Sequence, residues 1–129
     1  MIKVDYLILG GGIAGTTAAE EVRSKDPNST ITIITEEADR TYSRVLLPHF
    51  LRNENTFESL FIRSLESFQE KNIQLLTKLR VVKVDSQNKI VTTADNQTFS
   101  YNKLLIATGG KANRLPTPGS NLPEVGYMR

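Results

Sequence analysis

The sequence predicts an α/β fold in which a parallel β-sheet is joined to an antiparallel three-stranded meander. Two observations support this prediction. Runs of apolar and β-branched residues end in glycine-containing turns at two separate places, after Leu9 and after Ile106, as buried strands of a parallel sheet do. Between these runs, short strand patterns alternate with polar turns, which is typical of an antiparallel meander.

The first part of the chain predicts a strand–helix–strand unit. Val4–Leu9 is predicted to be a buried parallel strand, and Thr30–Thr35 a second strand because it is rich in β-branched residues. A helix between them is expected to end near Asp26, since proline follows at once. Its buried face is predicted to carry Ile13, Ala14, Ala18, Ala19 and Val22.

The remaining elements are predicted to complete the sheet. Helices are expected at Leu46–Leu51, with Pro48 in the first turn, and at Ser64–Lys71. Ile73–Leu76 would extend the parallel sheet. The meander is predicted from Arg80–Asp85, Ile90–Thr93 and Thr98–Ser100, after which Lys103–Ile106 returns as a buried strand ending in Ala107, Thr108, Gly109 and Gly110.

The glycine cluster after the first strand matches the pattern GxGxxG at Gly10, Gly12 and Gly15. In a Rossmann-like fold the first glycine permits the tight turn, the second lets a pyrophosphate approach the backbone, and the third allows helix and strand to pack closely. The N-terminus of the following helix offers unpaired N–H groups and a partial positive charge. The cluster therefore predicts a dinucleotide site.

An acidic pair after the second strand strengthens this interpretation. Glu36 lies about 20 residues after the last motif glycine, the spacing at which a carboxylate accepts hydrogen bonds from the ribose of an adenine dinucleotide. Glu37 stands beside it. The plainer alternative is a glycine turn next to two solvent-exposed glutamates.

Composition limits the classes of function. With 129 residues the chain is one domain at most and is small for an oxidoreductase with two nucleotide sites. A net charge of +2, without a lysine or arginine run, argues against nucleic acid as a partner. The lack of cysteine excludes disulfides and cysteine-ligated metal within this chain, and it is compatible with a cytoplasmic location. The first apolar run is too short for a membrane span, so no membrane partner is expected.

Six motifs, in this order over the whole chain, carry a resemblance to a known family: GGGIAG, ITIITEE, TYSRVLLPHFL, RVVKVD, FSYNKLLIATGG and LPTPGSNLPEV. They resemble the first FAD-binding segment of the FAD-dependent pyridine nucleotide–disulfide oxidoreductase superfamily, and most of all its branch of rubredoxin, ferredoxin and nitrite reductases. The resemblance implies a Rossmann-like FAD/NAD(P)-binding domain. Residues 1–129 are then expected to be a partial FAD-binding domain, an N-terminal fragment without the NAD(P)H-binding domain and the C-terminal completion.

The resemblance also implies roles for individual residues. Glu36, with Glu37 beside it, would hold the ribose, and Arg44 in the YSR triplet would reach the cofactor with its fork of donors. Val81 would meet the adenine edge through its backbone. The pyrophosphate would be cradled by Gly10, Gly12, Ile13, Ala14 and Gly15, and the turn that packs on the cofactor would be Ala107, Thr108 and Gly109.

Two positions depart from the family pattern. Val45 occupies the position where thiol-dependent branches carry a redox cysteine, and the CxxxxC pair of disulfide reductases is missing. Valine cannot perform thiolate chemistry, so flavin chemistry without a thiol relay is expected. His49 stands where many ferredoxin reductases carry a lysine near the flavin, which makes it a cofactor-site candidate with either a bystander role or a role in proton transfer.

The implied activity is that of a flavoprotein oxidoreductase. Hydride would pass from NAD(P)H to FAD, and electrons would leave to a carrier such as rubredoxin, ferredoxin or a fused redox centre. Two alternatives stay open: an NAD-binding Rossmann enzyme, and a non-enzymatic nucleotide-binding or assembly module. No catalytic residue and no metal site is assigned. The isolated fragment is expected to be inactive and to self-associate, because apolar surface that the intact protein buries would be exposed.

Overall fold

A single mixed sheet organises the chain in the computed structural model, which describes residues 1–127. Residues 128 and 129, the last two of the predicted segment, lie outside the described residues. The helices are α1 (Ile13–Lys25), α2 (Leu47–Leu51) and α3 (Leu65–Glu70), with 3-10 turns at Arg44–Leu46 and Glu58–Leu60. The strands are β1 (Ile2–Leu9), β2 (Ile31–Ile34), β3 (Ile73–Leu76), β4 (Val81–Asp85), β5 (Ile90–Thr93) and β6 (Thr98–Ile106).

The six strands lie in the order β3-β2-β1-β6-β5-β4. The first four are mutually parallel, because β1 pairs in parallel with both β2 and β6, and β2 pairs in parallel with β3. On the other side of β6, strand β5 runs antiparallel to both β6 and β4. The predicted fold class, a parallel sheet with an antiparallel three-stranded meander, is confirmed.

The meander shares its third strand with the parallel sheet, which corrects one prediction. Thr98–Ser100 and Lys103–Ile106 are not two strands but parts of the single strand β6. Asn102, a residue type that is depleted in strands, obscured the continuity in the sequence. In the structure its side-chain amide donates to Asp5 Oδ1 at 2.8 Å, so the polar group is satisfied within the sheet.

The second half of β6 is also less covered than predicted. The sequence predicts a buried strand at Lys103–Ile106, but Leu105 is 40% and Ile106 61% exposed. Within residues 1–127, β5 pairs with β6 only at Thr98–Ser100, so the side of Lys103–Ile106 that faces away from β1 has no strand partner. We call Lys103–Ile106 the open edge.

Two apolar clusters pack on opposite faces of the sheet. One contains Phe68 of α3 and Ala19 of α1, together with Ile8, Ile31, Ile33 and Ile73. The other contains Val4, Leu7, Leu9, Ile34, Val91, Phe99 and Tyr101. Among residues 1–127, no helix has the length and apolar character needed to cross a membrane.

The buried side of α1 differs from the predicted face. Gly15, Thr16 and Ala19 are buried, whereas Ile13 is 54% exposed and Ala14 is exposed as well. The prediction is wrong for Ile13 and Ala14 because these residues, in the first turn of α1, line a cavity instead of packing on the sheet. The other helices follow their sequence signals: Pro48 lies in the first turn of α2, and Ser64 caps α3 by accepting from the Ser67 N–H at 3.2 Å.

Candidate functional site

A cavity of about 550 Å³ lies at the carboxyl ends of β1, β2 and β6. In open α/β sheets, ligands bind in the crevice outside the carboxyl ends of the strands, where the chain crosses from one side of the sheet to the other. Here β1 is followed by β2 on one side and has β6 on the other. The cavity is lined by segments 9–14, 34–37, 42–45, 79–81 and 107–109, together with Ile62.

The glycine turn can only be built from glycine at two of its positions. Gly10 has a φ of +114°, and a Cβ there would lie 2.2 Å from the Ala107 carbonyl oxygen. A Cβ on Gly15 would lie 2.0 Å from the Gly10 carbonyl oxygen. Gly15 is therefore buried beneath the turn and does not line the cavity.

Backbone hydrogen bonds fix the two glycine-ended turns beside each other. The Gly10 N–H donates to the Ile34 carbonyl at 2.8 Å, and the Ala107 N–H donates to the Leu9 carbonyl at 2.8 Å. The turn after β1 is thus held from both neighbouring strands. This arrangement brings Ala107, Thr108 and Gly109 to the same cavity as Gly10 and Gly12.

The N-terminus of α1 is available to an anion. Gly12 is the N-cap residue and makes no side-chain cap, and the first turn, which lies wholly within the described chain, contains no acidic residue. No atom lies within 4 Å of the position that a Cβ on Gly12 would take. Free N–H groups and open space at a helix start suit a phosphate group.

Charged residues at the tip of β2 form the opposite wall. Glu36 is exposed, and its carboxylate lies 4.0 Å from Arg80 Nε. Glu37 accepts from an Arg44 guanidinium nitrogen at 3.0 Å, so Arg44 has a carboxylate partner at the cavity. Another guanidinium nitrogen of Arg44 lies 3.8 Å from the Cβ position of Gly109. Arg44 therefore reaches from the tip of β2 toward the turn after β6.

The wall that contains Val81 is continuous with β2. Beyond the end of β2, the Lys78 N–H donates to the Glu37 carbonyl and the Leu79 N–H to the Thr35 carbonyl, each at 2.9 Å. These bonds place Leu79, Arg80 and Val81 in the lining. Of these three residues, only Val81 is predicted from the sequence to belong to the site. Leu79 and Arg80 could have been inferred because they directly precede it.

One lining residue gives no signal in the sequence. Ile62 reaches the cavity because Tyr42 and Phe61 form an isolated antiparallel bridge, with the Ile62 N–H donating to the Thr41 carbonyl at 3.0 Å. Nothing in the local sequence of residues 61–64 predicts that this segment pairs with the loop that precedes Arg44. The contact is a product of the tertiary fold.

His49 lies outside the cavity lining, on α2. Its Nδ1 is 2.6 Å from Glu54 Oε2, and Arg52 donates to the same carboxylate at 2.7 Å. The hydrogen bonds from Arg52 and then His49 lower the pKa of Glu54 below its usual value. His49 thus belongs to an exposed charged cluster, while Val45, which lines the cavity, is 80% exposed.

The structure brings most of the predicted site residues together and leaves two aside. The two outside the lining are Gly15, beneath the turn, and His49, on α2. Those within it are Gly10, Gly12, Ile13, Ala14, Glu36, Glu37, Arg44, Val81, Ala107, Thr108 and Gly109.

Known proteins resemble this chain in both sequence and structure. The chain is 34% identical to the nitrite reductase [NAD(P)H] of Bacillus subtilis over 100% of this chain and 16% of the relative. It is 36% identical to the rhodocoxin reductase of Rhodococcus erythropolis over 98% of this chain and 30% of the relative. The ferredoxin reductase for the CYP199A2 system from Rhodopseudomonas palustris superposes with a TM-score of 0.86 at 30% identity, covering 94% of this chain and 30% of that structure.

The match to a family is nearly complete over this chain, although the chain spans less than a third of the length of these relatives. Residues 4–129 match the pyridine nucleotide-disulphide oxidoreductase family. The resemblance inferred from the motifs is confirmed. With its glycine turn, parallel sheet and relatives in agreement, the chain belongs to the pyridine nucleotide-disulphide oxidoreductase family.

Proposed function

We propose that the cavity binds FAD and that the chain forms the FAD-binding part of an NAD(P)H-dependent oxidoreductase that delivers electrons to a carrier. The observation that carries the proposal is the arrangement of one cavity with the α1 N-terminus on one wall and Glu36 on the other. That pairing suits a pyrophosphate and a ribose at the same time. Membership of an oxidoreductase family supports the same activity.

The residues present fit FAD. The space beside Gly12 and the free N–H groups of α1 would accept the pyrophosphate, and Glu36 would accept hydrogen bonds from the ribose hydroxyls. Arg44 offers a planar fork of donors to a phosphate or flavin oxygen. When bound, FAD supplies the chemistry that links a hydride donor to a one-electron carrier.

Electron carriers are proposed as partners from the names of the relatives. One relative is the rubredoxin-NAD(+) reductase of Pseudomonas putida, and one similar structure is a covalent putidaredoxin reductase–putidaredoxin complex. By analogy, this chain would serve rubredoxin, a ferredoxin or a fused redox centre.

We assign the NAD(P)H site to a part of the protein outside these residues, because the sequence carries a single GxGxxG motif. The isolated chain is then expected to be inactive. A cytoplasmic location, with which the lack of cysteine is compatible, belongs to the same proposal.

The identity of the cofactor is tested by extracting it from the purified protein of natural length, since the isolated 129-residue chain is expected to bind FAD weakly or not at all. We expect a yellow protein that releases FAD, because the glycine turn and Glu36 suit the adenosine half of a dinucleotide. Release of FMN alone would contradict the proposal. A protein without a flavin absorption band that binds NAD would favour an NAD-dependent Rossmann enzyme. A flavoprotein of natural length with no NADH-driven dye reduction would favour a non-enzymatic binding or assembly module.

The role of Glu36 is tested by substitution. Glu36→Ala should weaken FAD binding by about 1.5–3 kcal/mol, the range for a hydrogen bond to a charged group. Glu70→Ala is the matched control, because Glu70 is an exposed glutamate on α3 that lies outside the cavity lining. Unchanged affinity in Glu36→Ala, with loss in Glu37→Ala, would assign the ribose to Glu37 instead.

The proposed flavin chemistry needs no thiol from this chain. Val45 stands in the cavity lining, and the chain has no cysteine. Alkylation of thiols elsewhere in the protein should therefore leave hydride transfer from NAD(P)H to the flavin intact. Activity that depends on a peroxide or a coenzyme A disulfide would contradict this part of the proposal.

Self-association of the isolated 129-residue chain is proposed from the open edge. Lys103–Ile106 presents unpaired backbone groups on one side, and Leu105 and Ile106 expose apolar surface next to it. Such an edge is a template for pairing with a second copy. Light scattering should show a species larger than a monomer, and a strictly monomeric chain at high concentration would contradict this.

A further inference from the structure

Two buried hydroxyl groups join the glycine turn to the loop that carries Arg44. Thr16 on α1 is 0% and Thr41 2% exposed, and their Oγ1 atoms lie 2.5 Å apart. Thr41 Oγ1 is also 2.8 Å from the Gly11 carbonyl oxygen, whereas Thr16 Oγ1 is 3.4 Å from it. Neither threonine lines the cavity.

The protons of the two hydroxyls have one preferred arrangement. Each hydroxyl can donate a single hydrogen bond, and the Gly11 carbonyl can only accept. The shorter distance assigns the Thr41 proton to the Gly11 carbonyl, and the Thr16 hydroxyl then donates to Thr41. The result is a directed chain of hydrogen bonds from α1 through the loop to the glycine turn.

This chain fixes the orientation of the peptide between Gly11 and Gly12. In a trans peptide the C=O and N–H groups point in opposite directions. Holding the Gly11 carbonyl on Thr41 therefore turns the Gly12 N–H away from Thr41. Gly12 lines the cavity, with open space at its Cβ position, so its orientation decides which backbone group a ligand meets there.

The same threonine anchors the loop. The Thr41 carbonyl accepts from the Ile62 N–H at 3.0 Å, and the Ser43 N–H donates to the Leu60 carbonyl at 2.7 Å. These backbone bonds tie the loop to segment 60–62. The Thr41 hydroxyl supplies the hydrogen bond that ties the loop to the glycine turn on the other side. Arg44 follows three residues later, where it meets Glu37.

We propose that the Thr16–Thr41 hydroxyl pair is a positioning device that aligns the Gly12 N–H and holds the Arg44 loop, and so sets the affinity for the cofactor. The two threonines act through other groups and touch no ligand themselves. This inference rests on the proposed function only for the identity of the ligand. The holding of the loop is a property of the chain alone, and it is measured separately.

The test compares four variants of the protein in its natural length. Thr41→Val removes the hydroxyl at nearly constant shape, Thr41→Ser keeps it, and Thr16→Val leaves the bond from Thr41 to Gly11 in place. Thr32→Val is the matched control, because Thr32 is 2% exposed and its hydroxyl bonds to Gln74 Oε1 at 3.0 Å, away from the loop. FAD affinity and hydrogen exchange at the Ser43 and Ile62 amides are measured for each variant.

We expect Thr41→Val to weaken FAD binding about tenfold, as the loss of one buried hydrogen bond predicts, and to speed exchange at both amides. Thr16→Val should have a smaller effect of the same kind. Thr41→Ser should restore both readouts, and Thr32→Val should leave both unchanged even where it lowers the melting temperature.

Three results would overturn the inference: unchanged affinity and exchange in Thr41→Val, an equal loss in Thr41→Ser, or a larger loss in Thr16→Val than in Thr41→Val. A wild-type protein that binds no FAD would reject the proposed function. In that case the exchange measurement still decides whether the pair holds the loop.

Discussion

The two sides of the parallel sheet around β1 differ in how they are covered. On the β2 and β3 side, Ile8, Ile31 and Ile33 are at most 2% exposed beneath α1 and α3. On the β6 side, Leu105 is 40% and Ile106 61% exposed at the open edge. The cavity therefore lies between one wall whose side chains are buried beneath helices and another wall, at the open edge, whose side chains are exposed.

Long-range polar contacts reinforce the covered side. Glu20 on α1 pairs with Arg63 at 2.9 Å and with Lys71 at 2.5 Å, which ties the helix to the segment before β3. Arg23 donates to the carbonyls of Lys71 and Asn72, each at 2.8 Å. The comparison teaches that the wall with the glycine turn and Glu36 is preorganised by packing and charge, whereas the wall formed by β6 depends on its pairing with β1.

The largest expected effect concerns the contact beneath the glycine turn. Gly15→Ala would bring a Cβ to 2.0 Å from the Gly10 carbonyl oxygen, a backbone atom that cannot move away without distorting the turn. We expect a loss of more than about 3 kcal/mol in the free energy of unfolding, measured by urea denaturation.

The matched control is Gly110→Ala, where a Cβ would meet no atom within 4 Å. It should change the free energy of unfolding by less than about 0.5 kcal/mol. If Gly15→Ala were as stable as the wild type, the covered side would be more adaptable than its packing indicates.

A smaller effect is expected at Glu20, and it depends on pH. The hydrogen bond from Arg63 is the main cause that lowers the pKa of Glu20 to about 2, with Lys71 adding to it. A carboxyl group whose pKa is lowered by folding stabilises the protein above its unfolded pKa, and this stabilisation is lost as the pH falls toward the folded pKa. Glu20→Gln should cost on the order of 2 kcal/mol at neutral pH, since the two cations are partly exposed.

The difference in stability between Glu20→Gln and wild type should shrink as the pH falls from 4.5 to about 2, because Glu20 becomes neutral near 4.5 in the unfolded protein and near 2 in the folded protein. Glu21→Gln on the same helix is the control, since Glu21 pairs with Lys25 with both side chains mostly exposed, and it should change the stability little at any pH. A constant difference across this range would show that the ion pairs are not the source of the effect.

The smallest effect is expected for Leu105 on the uncovered side, and Ile8 is its buried reference. Leu105 and Ile8 are register partners in β6 and β1, so they compare the two environments directly. Ile8→Ala should cost about 2–5 kcal/mol because the side chain is buried, whereas Leu105→Ala should cost less than about 1 kcal/mol. Equal losses in thermal or urea unfolding would show that Leu105 is covered in solution.

The elements that the sequence predicts correctly are those whose signals lie within a few neighbouring residues. A few consecutive residues are enough to recognise the apolar runs of β1 and β2, the glycine turn and the polar turns of the meander. The continuity of β6 was missed because Asn102 is satisfied by Asp5, which is distant in sequence. The exposure of Ile13 could not be predicted because helical periodicity does not tell which turn of a helix packs on the sheet and which turn lines a cavity.

The same limit applies to the site. Gly10, Gly12 and Glu36 follow from a motif with a fixed spacing, and the structure brings them to one cavity. Thr41 begins the TYSRVLLPHFL motif, but its structural role could not be predicted, because that role comes from a contact with Gly11 across 30 residues. His49 is near Arg44 in sequence, yet α2 carries it out of the lining to Glu54.

The most direct test of the account is a competition titration of the protein with ADP and with FMN against bound FAD. The covered wall holds the glycine turn and Glu36, so ADP, which carries the ribose and pyrophosphate of the dinucleotide, should displace FAD from the wild type, and Glu36→Ala should weaken the binding of ADP and FAD alike. FMN should displace FAD far less well. Displacement by FMN together with no competition from ADP would contradict the assignment of this cavity to the adenosine diphosphate half of FAD.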